Sequence, residues 1–181
     1  VTLPVDYDIT VNPFSGSSNV KEIHYTYGTT GIMPDRSLSS SDKTYNKYSL
    51  ANISGGNLES VTFEDGITRI GDYAFYKSNA SEVLKDVTLP KTLESIGYMG
   101  FRNNVGIINI DLPDGLKEVE SYCFYECSGL SEIKIPAAMT AIPNYCFYNC
   151  SGLKSLEIPE TVTTISSYCF SGCSGLTELV I

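Results

Sequence analysis

From Leu58 onward, apolar residues recur in a fixed order. Six segments read apolar-x-x-apolar-x-apolar, beginning at Leu58, Leu84, Ile107, Leu130, Leu153 and Leu176. Val61, Val87, Ile110, Ile133, Leu156 and Leu179 form the second apolar column, and Phe63, Leu89, Leu112, Ile135, Ile158 and Ile181 the third. These two columns alternate with polar residues, as a short strand with one buried face requires. Pro90, Pro113, Pro136 and Pro159 close four of the strands by removing a donor and fixing φ. A second apolar pair follows, as in Met139/Ile142 and Val162/Ile165, and then a Phe. Phe101, Phe124, Phe147 and Phe170 are 23 residues apart, and Phe75 precedes Phe101 by 26, so the period breaks once, at Lys77–Val83. So short a period predicts a β-rich solenoid, with parallel strands stacked on one face and short strands or turns on the other. One repeat cannot bury its apolar face alone, so stability belongs to the stack.

Residues 1–57 do not carry the repeat. Val1, Leu3, Val5, Tyr7, Ile9 and Val11 alternate with polar residues and with Pro4, which suits an edge strand. A turn or linker over Asn12–Ser18 leads to a second alternating stretch with Val20, Ile23, Tyr25 and Tyr27, and Gly28–Ser49 reads as an irregular, Ser-rich excursion. The expectation is an N-terminal β cap on the solenoid over residues 20–57, with residues 1–12 either part of it or the remnant of a preceding domain. Residues 58–181 then hold five repeats and the first strand of a sixth, an ending expected of a piece of a longer chain.

The unit Leu130-Ser131-Glu132-Ile133-Lys134-Ile135-Pro136, followed by Met139-Thr140-Ala141-Ile142 and by Cys146-Phe147 with Cys150, resembles the BspA-type leucine-rich repeat. The resemblance covers residues 58–181. It implies a curved leucine-rich-repeat solenoid and a place among bacterial surface and secreted proteins, where adhesion and host-protein binding are the usual roles. A non-catalytic, extracellular or cell-surface recognition module with a protein partner and no cofactor is the function it implies. Repeat one departs from the pattern, with Glu64 in place of Pro and an insertion after Tyr76, as a terminal repeat beside a cap would.

Charge narrows the partners. With 21 acidic and 12 basic residues the formal net charge is −9, and the long-range field opposes nucleic acid and anionic lipid. No run of about 18 apolar residues is present, so no membrane insertion is expected within this chain.

Three groups of residues invite a chemical reading. Cys123/Cys127, Cys146/Cys150 and Cys169/Cys173 form three Cys-Phe-x-x-Cys units, but earlier copies place Ala74 or Gly100 at the first position and Ser78 or Asn104 at the second. Both positions therefore read as sites for small, buried side chains rather than for a metal or a disulfide. The single His, His24, alternates with Ile23 and Tyr25 and is expected to face solvent, which leaves no partner for a nucleophile. The strand face carries Asp86, Asp111, Glu132, Glu157 and Glu178, with Lys134 beside Glu157. On an open ladder this is a solvated acidic face, without the desolvation a glycosidase acid needs.

Tyrosine is the informative excess. Tyr73, Tyr122, Tyr145 and Tyr168 lie two residues before the Phe, and Tyr76, Tyr125 and Tyr148 one after it. If the Phe points inward, at least one of these columns lines an outer surface, and Tyr buries large contact area with few rotors. The candidate binding residues are these seven Tyr, together with Glu132, Lys134 and Glu157 of the strand face. A protein is the expected ligand, and the alternative is a glycan held by an accessory module of a larger secreted protein. The competing reading is that the rings only cover the turn layer.

Overall fold

In the computed structural model, residues 2–4, 20–33, 57–77 and 83–181 are described. They form stacks of short parallel strands: β1 (Thr2–Pro4), β2 (Glu22–Thr26), β3 (Ser60–Phe63), β4 (Arg69–Ile70), β5 (Asp86–Thr88), β6 (Ser95–Ile96), β7 (Glu118–Val119), β8 (Glu132–Lys134), β9 (Ala141–Ile142), β10 (Ser155–Glu157), β11 (Thr164–Ile165) and β12 (Glu178–Val180). Every pairing among them is parallel, and no helix occurs among the described residues. The chain is a β-solenoid. A repeat runs along the front face, turns, crosses a two-residue back strand, and returns through a turn centred on the Phe; in the third repeat the front strand is reduced to a bridge at Asn109.

The apolar columns explain each piece. In β8, Ile133 is buried while Glu132 and Lys134 point outward, and β10 repeats this with Leu156 between Ser155 and Glu157. The register aligns Leu156 with both Ile133 and Leu179, and a slip of one residue would turn the whole column to solvent. After the front strand, the carbonyls of Pro90, Pro113, Pro136 and Pro159 accept the N–H of Leu93, Leu116, Met139 and Val162 at 3.1, 2.9, 3.0 and 2.9 Å. The proline that ends a strand thereby starts the turn to the back face.

The N-terminal segment extends both ladders. Ile23 pairs with Val61 and Tyr25 with Phe63, whose rings stack at 5.1 Å, and Ile32 bridges to Arg69 on the back face. Residues 22–33 thus follow the course of a repeat, and β1 adds a further parallel strand outside β2. Apart from Thr2–Pro4, the alternating stretch over residues 1–12 lies outside the described residues, as does the Gly28–Ser49 excursion after Met33.

Neither sheet runs the whole length. On the front, β1-β2-β3-β5 and β8-β10-β12 are separate, because the third repeat supplies only a bridge from Asn109 to Glu132. On the back, β4-β6-β7 and β9-β11 are separate. The cause there is covalent. Gly97, Glu120 and Ser166 donate their N–H to Ile70, Ile96 and Ile142 at 2.8, 2.9 and 2.9 Å, whereas the residue at this position in repeat four is Pro143, which has no N–H to give Val119.

What does run through both breaks is the turn layer. Phe75, Phe101, Phe124 and Phe147 donate their N–H to Gly100, Cys123, Cys146 and Cys169 of the next repeat at 2.7, 2.9, 2.9 and 3.0 Å. Their rings, with Phe170, form one offset stack with centroid separations of 5.1, 5.7, 5.5 and 5.6 Å. All but Phe170 are fully buried. Truncating an interior member should leave a cavity bounded by rings on two sides. Phe124→Ala is expected to destabilise the chain by about 3–5 kcal/mol, read as the shift in a urea unfolding curve; an unchanged midpoint would contradict the stack's role.

Candidate functional site

The turn around each Phe has an alternating backbone that aims its side chains. The residues two before and two after the Phe adopt positive φ: Tyr73, Met99, Tyr122, Tyr145 and Tyr168 at 54–62°, and Asn103, Glu126 and Asn149 at 56–66°. Such a conformation costs a residue with a Cβ on the order of 1 kcal/mol. The repeats offset it with hydrogen bonds along the stack. Tyr122 N–H reaches Asn144 O at 3.1 Å and Glu126 N–H reaches Tyr148 O at 2.8 Å, flanking the Phe124 bond, while the intervening amides of Cys123, Tyr125 and Cys127 close local turns on Glu120, Tyr122 and Phe124. Alternate amides therefore tie repeat to repeat, and the Phe side chain is held inward between two outward Tyr.

The predicted Tyr columns come together as one array. Tyr122 stacks on Tyr145 at 4.8 Å, Tyr145 on Tyr168 at 5.0 Å, and Tyr125 on Tyr148 at 4.9 Å, with planes within 14° of parallel. The columns meet through tilted ring contacts at Tyr122–Tyr125 and Tyr145–Tyr148, both 5.6 Å. Two members are not in the sequence-derived columns. Tyr98, one position out of line because Met99 holds the column place, fills the gap between Tyr73 and Tyr122 at 5.4 and 5.7 Å. Arg102 fills the gap between Tyr76 and Tyr125, its guanidinium carbon 5.6 and 4.4 Å from the two ring centres. The signal for both was the break in the column itself, where repeat two has Met and Arg in place of two Tyr.

Exposure sorts the candidates. Tyr122, Tyr125, Tyr145 and Tyr148 are half-buried and Tyr168 is exposed, while Tyr76 is buried beneath Arg102. Tyr76 therefore supports the array from within and offers no contact surface of its own. Burial, with Glu126 beside it, raises the Tyr125 phenol against the opposing pull of Arg102, so this ring keeps its proton at neutral pH.

Glu132, Lys134 and Glu157 lie elsewhere, on the front sheet. Glu157 is directly opposite Lys134 in the register, and both are exposed, as is Glu132. Lys134 Nζ is 3.6 Å from Asp114 in a solvent-exposed pair. They border an open groove of about 660 Å³ that also takes in Asn109, Asp111, Ser155 and Glu178. His24 is exposed on β2, and no cluster of His, Cys, Asp or Glu among the described residues has the grouping of a metal site.

The six Cys are free, and the two columns do different work. Cys123, Cys146 and Cys169 occupy the small-volume position held by Ala74 and Gly100 in earlier repeats. The second column is a donor position. Cys127, Cys150 and Cys173 point Sγ at the carbonyls of Phe101, Phe124 and Phe147 in the preceding repeat at 3.2, 3.1 and 3.1 Å. Asn104 does the same to Phe75 O with its amide at 2.8 Å. Size alone does not describe this site, because each described occupant donates to a Phe carbonyl of the preceding repeat.

With this geometry, the family follows. The chain belongs to the BspA-type leucine-rich repeat family, whose model matches residues 43–177 in 6 copies. Among solved structures, a leucine-rich repeat protein of T. pallidum is 22% identical with a TM-score of 0.73, over 89% of this chain and 69% of that one. A leucine-rich repeat protein of Bacteroides ovatus is 23% identical with a TM-score of 0.72, over 100% and 45%. A leucine-rich cell surface protein of Faecalibacterium prausnitzii is 24% identical with a TM-score of 0.57, over 82% and 42%. These likenesses establish the fold, and the chain spans 69% of the first structure and less than half of the other two. No curated protein is significantly similar to the chain. No helix among the described residues is long and apolar enough to cross a membrane.

The buried thiols make stability depend on alkaline pH. Burial raises Cys127 and Cys169 from 9.0 to about 12 and lifts Cys123, Cys146 and Cys150 well above 9.0. Because the folded values are raised, the folded chain keeps protons that the unfolded chain releases once pH passes about 9. The thiol contribution is whole below that pH and is lost as pH climbs toward 12, at about 1.4 kcal/mol per pH unit for each retained proton. The urea midpoint should fall between pH 8 and pH 10, and fall less in the Cys123→Ala/Cys146→Ala variant. Equal sensitivity in the two proteins would show that the thiols are not the cause.

Proposed function

We propose that this chain is a non-catalytic recognition module of the bacterial cell surface or extracellular space, and that its contact surface for a protein partner is the tyrosine array of the turn layer. The observation that carries this reading is the array's combination of order and exposure. Eight rings and one guanidinium are in continuous contact, yet Tyr122, Tyr125, Tyr145 and Tyr148 each keep part of their surface open. Rings already fixed by stacking and by the strained backbone lose little further freedom when a partner covers them. The placement at the surface is supported by the family and by the described role of the F. prausnitzii neighbour as a cell surface protein.

The ring orientation favours protein over glycan. Sugars are held on open ring faces, whereas Tyr125 and Tyr145 have a guanidinium or a ring on each face and offer edges and hydroxyls. The acidic front groove is a second surface available to the same partner. Its carboxylates are fully solvated, so their pairing adds more to approach and orientation than to affinity.

The test is a parallel screen of the wild-type chain and a Tyr122→Ser/Tyr125→Ser/Tyr145→Ser/Tyr148→Ser variant against extracellular proteins and against a glycan array, with circular dichroism to verify the fold. Saturable protein binding that weakens at least about tenfold in the folded variant is expected, since each lost aromatic contact contributes on the order of 1 kcal/mol. Full retention of binding by the folded variant would reject the array as the contact surface.

A further inference from the structure

The column that runs Tyr76, Arg102, Tyr125, Tyr148, Ser171 contains one filled cation seat and one open one. Arg102 stands where the column elsewhere carries a ring, its guanidinium carbon 4.4 Å from the centre of Tyr125 and 5.6 Å from that of Tyr76. The chain itself thereby supplies an example of a guanidinium on these ring faces, whose π quadrupole attracts cations. Tyr148 rests one face on Tyr125, at 4.9 Å and 10° from parallel. Its other face is turned toward the next repeat. There, the bond from Asn149 N–H to Ser171 O at 2.8 Å repeats the bond from Glu126 N–H to Tyr148 O at 2.8 Å, so Ser171 holds the position over Tyr148 that Tyr148 holds over Tyr125. The side chain of Ser171 is too short to cover a phenol ring.

Two further observations give the open face its chemistry. The Asn149 amide oxygen lies against Gly172, the residue after Ser171, which has a φ of 80°, in space that a Cβ at that position would take from it, so the same turn carries an acceptor. Charge agrees in sign. The turn segments 121–127, 144–150 and 167–173 contain Glu126 and no Lys or Arg, on a chain of net charge −9.

We propose that the face of Tyr148 above Ser171 is a seat for an arginine side chain of a protein partner. This rests on the reading of the tyrosine array as the contact surface and gives that surface a chemistry: it selects a basic, arginine-bearing segment. Arginine fits better than lysine, because a planar guanidinium stacks on the ring while its fork of N–H groups donates to Asn149 Oδ1. Arg102 shows the same preference within the chain, in the equivalent place three repeats earlier.

The experiment is fluorescence anisotropy with a labelled Gly/Ser peptide bearing three arginines, and with the same peptide bearing citrulline, which keeps the shape and removes the charge. Each is titrated with the whole chain, with Ser171→Tyr, which covers the face without changing net charge, and with Tyr148→Ser, which removes it. The wild-type chain is expected to bind the arginine peptide about three- to thirtyfold more tightly than the citrulline peptide, the range for a cation on an aromatic face, and both variants are expected to lose that difference. Equal binding of the two peptides by the wild-type chain overturns the proposal, as does a Ser171→Tyr protein that binds the arginine peptide as the wild type does. The quadruple Tyr variant separates this from the wider reading. If it loses the arginine peptide while Ser171→Tyr and Tyr148→Ser keep it, the seat is wrong and the array stands; if all keep it, both fall.

Discussion

The structure depends on the stack of phenylalanines and on the amide ladder that carries it. Phe75, Phe101, Phe124, Phe147 and Phe170 lie ring on ring, and the amides of the first four bond to the next turn along. Leucine-rich repeats are described by their strands, yet here both sheets are interrupted, the front at the third repeat and the back at Pro143. The turn layer crosses both gaps without a break. Together with the continuous apolar core, it joins the N-terminal and C-terminal halves where the sheets are interrupted.

That constraint also explains why the surface looks as it does. To send alternate amides along the axis, the chain places a residue of positive φ two positions before each Phe and two positions after Phe101, Phe124, Phe147 and Phe170. In one of those places stands a Tyr in four of five repeats, and Met99 in the other. The same device that buries the Phe pushes the Tyr outward and fixes its direction, so core and contact surface are two sides of a single turn. The Phe carbonyls of this turn accept a side-chain donor from the following repeat, the role that Asn104, Cys127, Cys150 and Cys173 share in one column despite their different chemistry. The thiols serve as buried hydrogen-bond donors, protonated because burial holds them so.

Most of the architecture was legible in the sequence because a stack repeats its own evidence. Five Phe at a near-constant spacing, four prolines after the front strand, and apolar residues alternating with Glu, Lys and Ser each define one physical role, and the family assignment follows from them. What escaped was whatever broke the period. Tyr98 lies one position out of its column and still completes the ring array, since a tyrosine is long enough to reach back into line. Arg102 replaces a Tyr and works as one through its flat guanidinium. The donor role of the second Cys was masked by its size, although Ser78 and Asn104 in the same column are both donors. Pro143 was visible as a proline, but its effect required knowing that the preceding repeats spend that amide on the back ladder. The bare third repeat on the front face has one visible mark. Ile108, half exposed, sits where Lys85, Ser131, Lys154 and Thr177 place polar residues.

The central claim is that the turn layer, more than either sheet, holds the repeats together and holds the tyrosines in place. Native-state amide hydrogen exchange measures this directly, since each amide reports the free energy of the opening that frees it. The amides of Phe101, Asn103, Tyr122, Phe124 and Glu126, which bond across the third repeat where both sheets are weakest, should exchange among the slowest in the chain and with a common opening free energy. Rapid exchange of these amides alongside protected amides in β8 and β10 would contradict the account.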